Sequence, residues 1–230
     1  MPSEFTISHD TNGQAPLLLN REVVLNRSMK TVGYEFSLPE SMLGSPPRPG
    51  NGKGTDSALI EELQRAGVER MLGLCSAYLP MHSLDSLGLA MLQQQLATGL
   101  VVELDVGTCR LAQESFLEQA DSLKDRGIRF AIRFDGHLEP GDVDVYAKAE
   151  WIVLDLSQPA DISLSPKVNQ ILQVCPNLQP FVKNVVLQEE FTELLNQSPF
   201  SRPVQLFHGP FVISKTAALE DRPLQGDRMR

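Results

Sequence analysis

The chain has 230 residues, 42% of them hydrophobic and 21% charged, with a formal net charge of -9. That length suits one large domain, since an α/β barrel takes roughly 200 to 250 residues, and the composition is far from that of disordered chains. The acidic balance argues against a nucleic-acid partner, because phosphate backbones are bound by clustered Lys and Arg, and no stretch approaches the ~20 apolar residues needed to span a membrane.

Read from the N-terminus, Met1 to Ala15 is polar without a hydrophobic period, and residues 1–19 are expected to form a mobile arm. Met1 to Pro16 also lacks the basic and apolar regions of a signal peptide. Arg21 to Asn26 and Thr31 to Leu38 are rich in β-formers and flank a short reversal, which predicts a hairpin. Ser41 to Thr55, with its prolines and glycines, predicts a loop. A helix is expected over Asp56 to Ala66, ended by Gly67, followed by a buried strand over Val68 to Cys75. Ser83 to Thr98 has helical spacing, with Leu84, Leu87, Met91 and Leu92 as its apolar face, and Leu100 to Asp105 is strand-like.

The alternation continues through helix Leu111 to Arg126, strand Ile128 to Phe134 and strand Trp151 to Leu156. Ser165 and Pro166 carry the chemistry of a helix start, as N-cap and first helical residue. Phe181 to Leu187, helix Gln188 to Leu195 and strand Val204 to Phe207 complete the series. Apolar strands alternating with amphipathic helices predict a largely parallel sheet covered by helices, and about seven strand candidates favour closure into a barrel.

Single features give little chemistry. Cys75, Cys109 and Cys175 are odd in number and widely spaced, which fits neither a disulfide framework nor a Cys-x-x-Cys metal site and points to a reducing cytoplasm. Gly50 to Thr55 imitates a phosphate-binding loop but lacks Gly-Lys-Ser/Thr and a preceding strand. His9, His82 and His137 have no ligand spacing, and His208 reads as a packed strand residue.

Five phrases in register, TVGYEFSL (31–38), LVVELD (100–105), DRGIRFAIRFDG (125–136), WIVLDL (151–156) and LFHGPFVISK (206–215), resemble the EAL domain family, cyclic-di-GMP phosphodiesterases. The likeness is to the branch in which such a domain precedes a second signalling domain, as in EAL-HDOD proteins, and it covers roughly residues 20–216, leaving 217–230 as a tail. It implies a TIM-like (β/α) barrel with an antiparallel first strand, the strand that carries Glu35. It also implies two divalent metals at the C-terminal ends of the strands.

On that resemblance Glu35, Glu103 and Asp155 match family carboxylates. Leu74, or an equally unsuitable neighbour in MLGLCS (71–76), takes the place of a ligating Asn, Arg133-Phe134 that of the Asp pair with Asp135 displaced into the following Phe slot, and Lys183 and Val186 those of two Glu residues. Carboxylates lost and cations gained should repel a divalent ion. The expectation is therefore a domain with no catalytic residue, no metal and no cofactor. Glu35, Glu103, Arg133, Asp155 and Lys183 remain as a vestigial pocket, either paired internally or holding a ligand, with internal pairing preferred. Such a module acts by binding another signalling or regulatory protein, with a homodimer among the arrangements the resemblance allows. The alternatives are a non-hydrolysing cyclic-di-GMP receptor and a phosphodiesterase of residual activity. Asp142 and Asp144, after Pro140-Gly141, are expected as exposed charges on the docking surface.

Overall fold

A computed structural model describes residues 4–7, 17–39, 52–84, 86–96, 99–157 and 165–211. Strands β1 (Glu4–Ile7), β2 (Leu17–Asn26) and β3 (Thr31–Ser37) come first, then helices α1 (Gly52–Ala66) and α2 (Glu69–Leu72) and strand β4 (Ser76–Met81). Helix α3 (Ser86–Gln95) leads to β5 (Leu100–Asp105), α4 (Val106–Leu111) and α5 (Gln113–Lys124) to β6 (Arg129–Arg133), and α6 (Asp142–Ala147) to β7 (Trp151–Asp155). The chain continues through α7 (Ser165–Val174), β8 (Gln179–Lys183), α8 (Gln188–Asn196) and β9 (Leu206–His208).

One sheet runs in sequence order from β1 to β9, and β2 also pairs with β9, so β2 to β9 close an eight-stranded barrel. From β3 to β9 all neighbours are parallel, whereas β2 is antiparallel to both β3 and β9. The antiparallel first strand of the barrel is therefore β2. This corrects one expectation: Glu35 lies on β3, which runs parallel to β4. The hairpin supplies both strands, and its turn at Met29 has a φ of 56°.

Strands covered on both faces read as continuous apolar runs because each successive residue meets a different core. Val24, Tyr78, Val101, Ala131, Trp151, Val153, Phe181 and Leu206 point inward and fill the barrel as one cluster. Tyr78 is central, with ring centroids 5.8 Å from Phe181 and 6.1 Å from Trp151. At the N-terminal end of the barrel Arg129 donates to Ser76 Oγ at 2.7 Å and lies over the Trp151 ring. The outward residues, among them Leu79, Val102, Phe130, Ile152 and Phe207, pack beneath Leu63, Leu92, Phe116, Ile171 and Phe191 of the helices.

The expected elements from Leu100 onward lie within a few residues of their expected bounds, whereas α4 and α6 are additional to them; Val168, Ile171 and Leu172 of α7 are buried. Other expectations shift. Glu4–Ile7, inside the stretch read as an arm, pairs with β2; residues 217–230 lie outside the described ones, as does most of the 41–55 loop, and α1 already begins at Gly52. The strand expected over Val68 to Cys75 is α2 followed by a turn, and the strand is Ser76–Met81. Glu69 and Arg70 explain the change: a doubly covered strand has no place for two adjacent charges, whereas a short surface helix leaves both exposed. Leu74 is 94% exposed on the turn and far from the role assigned to it. On α3 the buried residues are Leu89, Ala90 and Leu92, with Leu96 just past its end also buried, whereas Leu87 and Met91 face outward.

Candidate functional site

Side chains alternate across a strand, so the residue two beyond an inward-facing apolar one also faces inward, one layer nearer the strand's C-terminal end. Val101 is thus followed by Glu103, Ala131 by Arg133, Val153 by Asp155, Phe181 by Lys183 and Leu206 by His208. Gly33 on β3 is followed in the same way by Glu35. Strand β2 runs the other way, so its residue in this layer is Glu22, the partner of Glu35 in the β2–β3 register. On β4 the residue in register with Glu103 is Pro80, which offers no side-chain oxygen. All five residues singled out in the sequence therefore face inward toward the barrel's C-terminal end, where this fold builds its sites.

Lys183 links them. Its Nζ lies 2.6 Å from Glu35 Oε2 and donates to Glu103 Oε2 at 3.0 Å. Lys183 is only 7% exposed and Glu103 is wholly buried. The second oxygen of Glu103 lies 3.6 Å from Arg133 Nε, without a hydrogen bond, and the same Nε is 3.9 Å from Asp105. At about 3 Å and an effective dielectric near 20, each attraction to Lys183 is worth about 5 kcal/mol, which offsets much of the cost of burying the charges. Burial presses the Lys183 ammonium toward neutrality, but Glu103 and Glu35 outweigh it and hold its pKa above the ordinary lysine value. A lysine fixed in the ammonium form is no nucleophile or general base.

Asp155 has separate partners. Its Oδ1 accepts from Asn184 Nδ2 at 2.6 Å and from the Ser157 backbone at 2.8 Å. Burial works against the charge, yet these bonds and the nearby Lys183 hold its carboxyl below the usual range. Asn184 reaches it from a left-handed backbone, φ 58°. Asn tolerates that region better than most other side chains, so it can hold the turn and still supply a donor. His208 is buried as expected and closes the β2–β9 seam: its Nε2 is 3.0 Å from Glu22 Oε2, and this contact holds the Glu22 carboxyl below its ordinary value.

Around this layer the loops are tied by further ion pairs. Arg110 on α4 grips Asp142 with Nε and Nη2, both at 2.7 Å, and Asp135 with Nη1 at 2.6 Å. Asp142 is wholly buried, and the Glu139 backbone also donates to it. Asp142 is thus no exposed docking charge, which corrects the sequence expectation; Asp144, two residues on, is exposed. Asp135, read as a displaced metal ligand, is committed to Arg110. Buried Asp56 of α1 accepts from the backbones of His82 and Ser83, from Ser83 Oγ and from His82 Nδ1, at 2.9–3.1 Å, fixing the loop after β4. Burial pushes the Cys109 thiol up to about 12 and raises that of Cys175, so neither is a nucleophile.

Glu22, Arg110, Asp56 and Asn184 went unnoticed in the sequence. None of them left a local signal there; Glu22, Arg110 and Asp56 become partners through contacts 25 to 186 residues apart, as Glu22 does with His208. The donors of the layer do not suit the divalent metals that the resemblance implies. Lys183 already lies within contact of both Glu35 and Glu103, and Arg133 adds a second fixed cation beside Glu103. Among the described residues no group of three or more His, Cys, Asp or Glu side chains is arranged to hold a metal.

No family model and no curated protein matches the sequence. Solved structures do. Klebsiella pneumoniae BlrP1 in a calcium and cy-diGMP complex matches 83% of this chain with a TM-score of 0.61 and 14% identity, and the chain spans only 53% of that protein. The FimX EAL domain from Pseudomonas aeruginosa, bound to c-di-GMP, matches 84% of this chain and 88% of its own, with TM-score 0.61 and 14% identity. The EAL domain of Mycobacterium smegmatis DcpA matches 87% and 96%, with TM-score 0.57 and 14% identity. At such identities the likeness is one of architecture, and it agrees with the strand order, the reversed β2 and the five sequence phrases: this chain has the fold of an EAL domain.

Proposed function

We propose that this chain is a catalytically inactive EAL-like module of bacterial signal transduction that acts by binding another signalling or regulatory protein. The observation that carries the reading is the position of Lys183, in contact with both Glu35 and Glu103. A two-metal hydrolysis needs a free set of hard oxygen ligands to lower the pKa of a water and to clamp the phosphate. Here the two best-placed carboxylates already neutralise an ammonium, Pro80 stands in register with Glu103, and Asp135 is held by Arg110. The interior below is filled by Tyr78, Trp151 and Phe181, which supports a role for the outside of the module over chemistry within it. A reducing cytoplasm and a homodimer both fit this reading.

A second reading, a non-hydrolysing cyclic-di-GMP receptor, is favoured by Arg133, whose side chain is 35% exposed at the mouth and can meet an anion without metal. Residual phosphodiesterase activity is the third. The test is a calorimetric titration with cyclic-di-GMP, with and without Mg²⁺, beside a hydrolysis assay in Mg²⁺ and Mn²⁺. Neither heat of binding nor turnover is expected. Metal-independent binding lost in Arg133→Ala establishes the receptor, and turnover lost in Glu35→Gln overturns the inactive module.

A further inference from the structure

The layer of charged side chains would be unstable without a cation at its centre. Glu35 and Glu103 come from β3 and β5, and their Oε2 atoms can be no further apart than the two Lys183 contacts laid end to end, at 2.6 and 3.0 Å. Two carboxylates that close, in a site this buried, repel strongly unless one is protonated or a cation lies between them. The other cations are poorly placed. Arg133 stands 3.6 Å from Glu103 without a hydrogen bond, and His208 faces Glu22. Glu22 is the cross-strand neighbour of Glu35 and adds a third negative group.

We infer that Lys183 is the resident counter-ion of the Glu35–Glu103 pair, standing where a bound cation would otherwise bridge them. The inference rests on the reading of a metal-free module and deepens it. A tethered ammonium cannot dissociate, so this end of the barrel keeps one conformation whatever the divalent metal concentration. A partner protein would then meet a surface that responds neither to Mg²⁺ nor to Mn²⁺. A further consequence concerns the site without its lysine: Lys183→Ala leaves a buried pair of carboxylates, hard oxygen donors suited to Mn²⁺ or Mg²⁺.

The experiment follows thermal unfolding and Mn²⁺ binding by calorimetry, in EDTA and in millimolar Mn²⁺, for the full chain and four variants. The native chain is expected to show the same melting temperature in both conditions. Lys183→Ala is expected to melt lower in EDTA, to regain stability in Mn²⁺, and to bind Mn²⁺ at least tenfold more tightly than the native chain. Lys183→Met, which refills the volume, should be destabilised without that rescue. Glu35→Gln/Glu103→Gln/Lys183→Met, which removes all three charges together, should fold and ignore metal.

Should Lys183→Ala fail to fold, the triple variant decides: a folded triple variant supports the counter-ion role and an unfolded one overturns it. Mn²⁺ stabilisation of the native chain that disappears in Glu35→Gln/Glu103→Gln overturns it too, as does a Lys183→Ala variant indistinguishable from the native chain. Hydrolysis of cyclic-di-GMP by the native chain is scored separately and sinks the inactive module, whatever the melting curves show.

Discussion

Arg110→Ala is expected to be among the most damaging single changes outside the apolar cores. The guanidinium makes two hydrogen bonds of 2.7 Å to Asp142, and a bond to a charged group is ordinarily worth about 1.5–3 kcal/mol. More important is what remains: Asp142 is wholly buried, and without Arg110 it keeps only the Glu139 backbone donor. Leaving one member of a buried pair without its partner costs about 3–5 kcal/mol. Arg110 also ties Asp135, so the loop from β6 to α6 loses its second anchor. At about 2–4 °C per kcal/mol for a chain of this size, the melting temperature should fall by about 6–20 °C. Urea unfolding of Arg110→Ala, Asp142→Ala and the double variant tests this. The double variant should recover part of the loss, because it buries no lone charge. A cost below about 1 kcal/mol for Arg110→Ala, or full additivity, would refute the buried-pair argument. Asp144→Lys provides the contrast: an exposed charge two residues away should change stability by no more than about 0.5 kcal/mol.

Asn184→Ala should cost about 1–2 kcal/mol, because it forces alanine into a left-handed backbone, and it also removes the donor to Asp155; Asn184→Gly should lose only the hydrogen bond, and thermal melts will rank the two. Gly33→Ala should be destabilising by about 1–3 kcal/mol, since its Cβ would strike the buried Tyr78 ring and lie 2.8 Å from the Ser76 carbonyl; a neutral result in urea unfolding would show that the ring gives way. Glu22, Asp135 and Asp155 all have carboxyl pKa values lowered in the folded chain. Their stabilisation is thus present above the unfolded values near 4 and is lost as pH falls through the lowered native ones. Unfolding at pH 7, 4 and 3 should show stability dropping between the last two, and a flat profile would contradict the assignment.

Much of the fold can be read from the chain in order. Leu100 to Asp105, Trp151 to Leu156 and Gln188 to Leu195 announce their elements because burial on two faces, or on one helical stripe, imposes a period that composition alone carries. The site is legible in part. Glu35, Glu103, Arg133, Asp155 and Lys183 can be picked out by resemblance, and the β-strand alternation that turns them toward the barrel interior is a local property. Val68 to Cys75 misled, since an apolar average concealed the charges of Glu69 and Arg70, and no strand was expected over Ser76–Met81.

What only the tertiary structure decided is which charge meets which. Composition determines an acidic chain with enough apolar residues for a two-layered core, and the order of its periods determines a covered, largely parallel sheet. Nothing local makes Lys183 the partner of Glu103, 80 residues earlier, Arg110 that of Asp142, or Glu22 that of His208. Those pairings follow from barrel closure, which brings strands distant in sequence within a few ångströms. Ion pairing in a buried layer depends on separations of that size, and they are set by the register between strands.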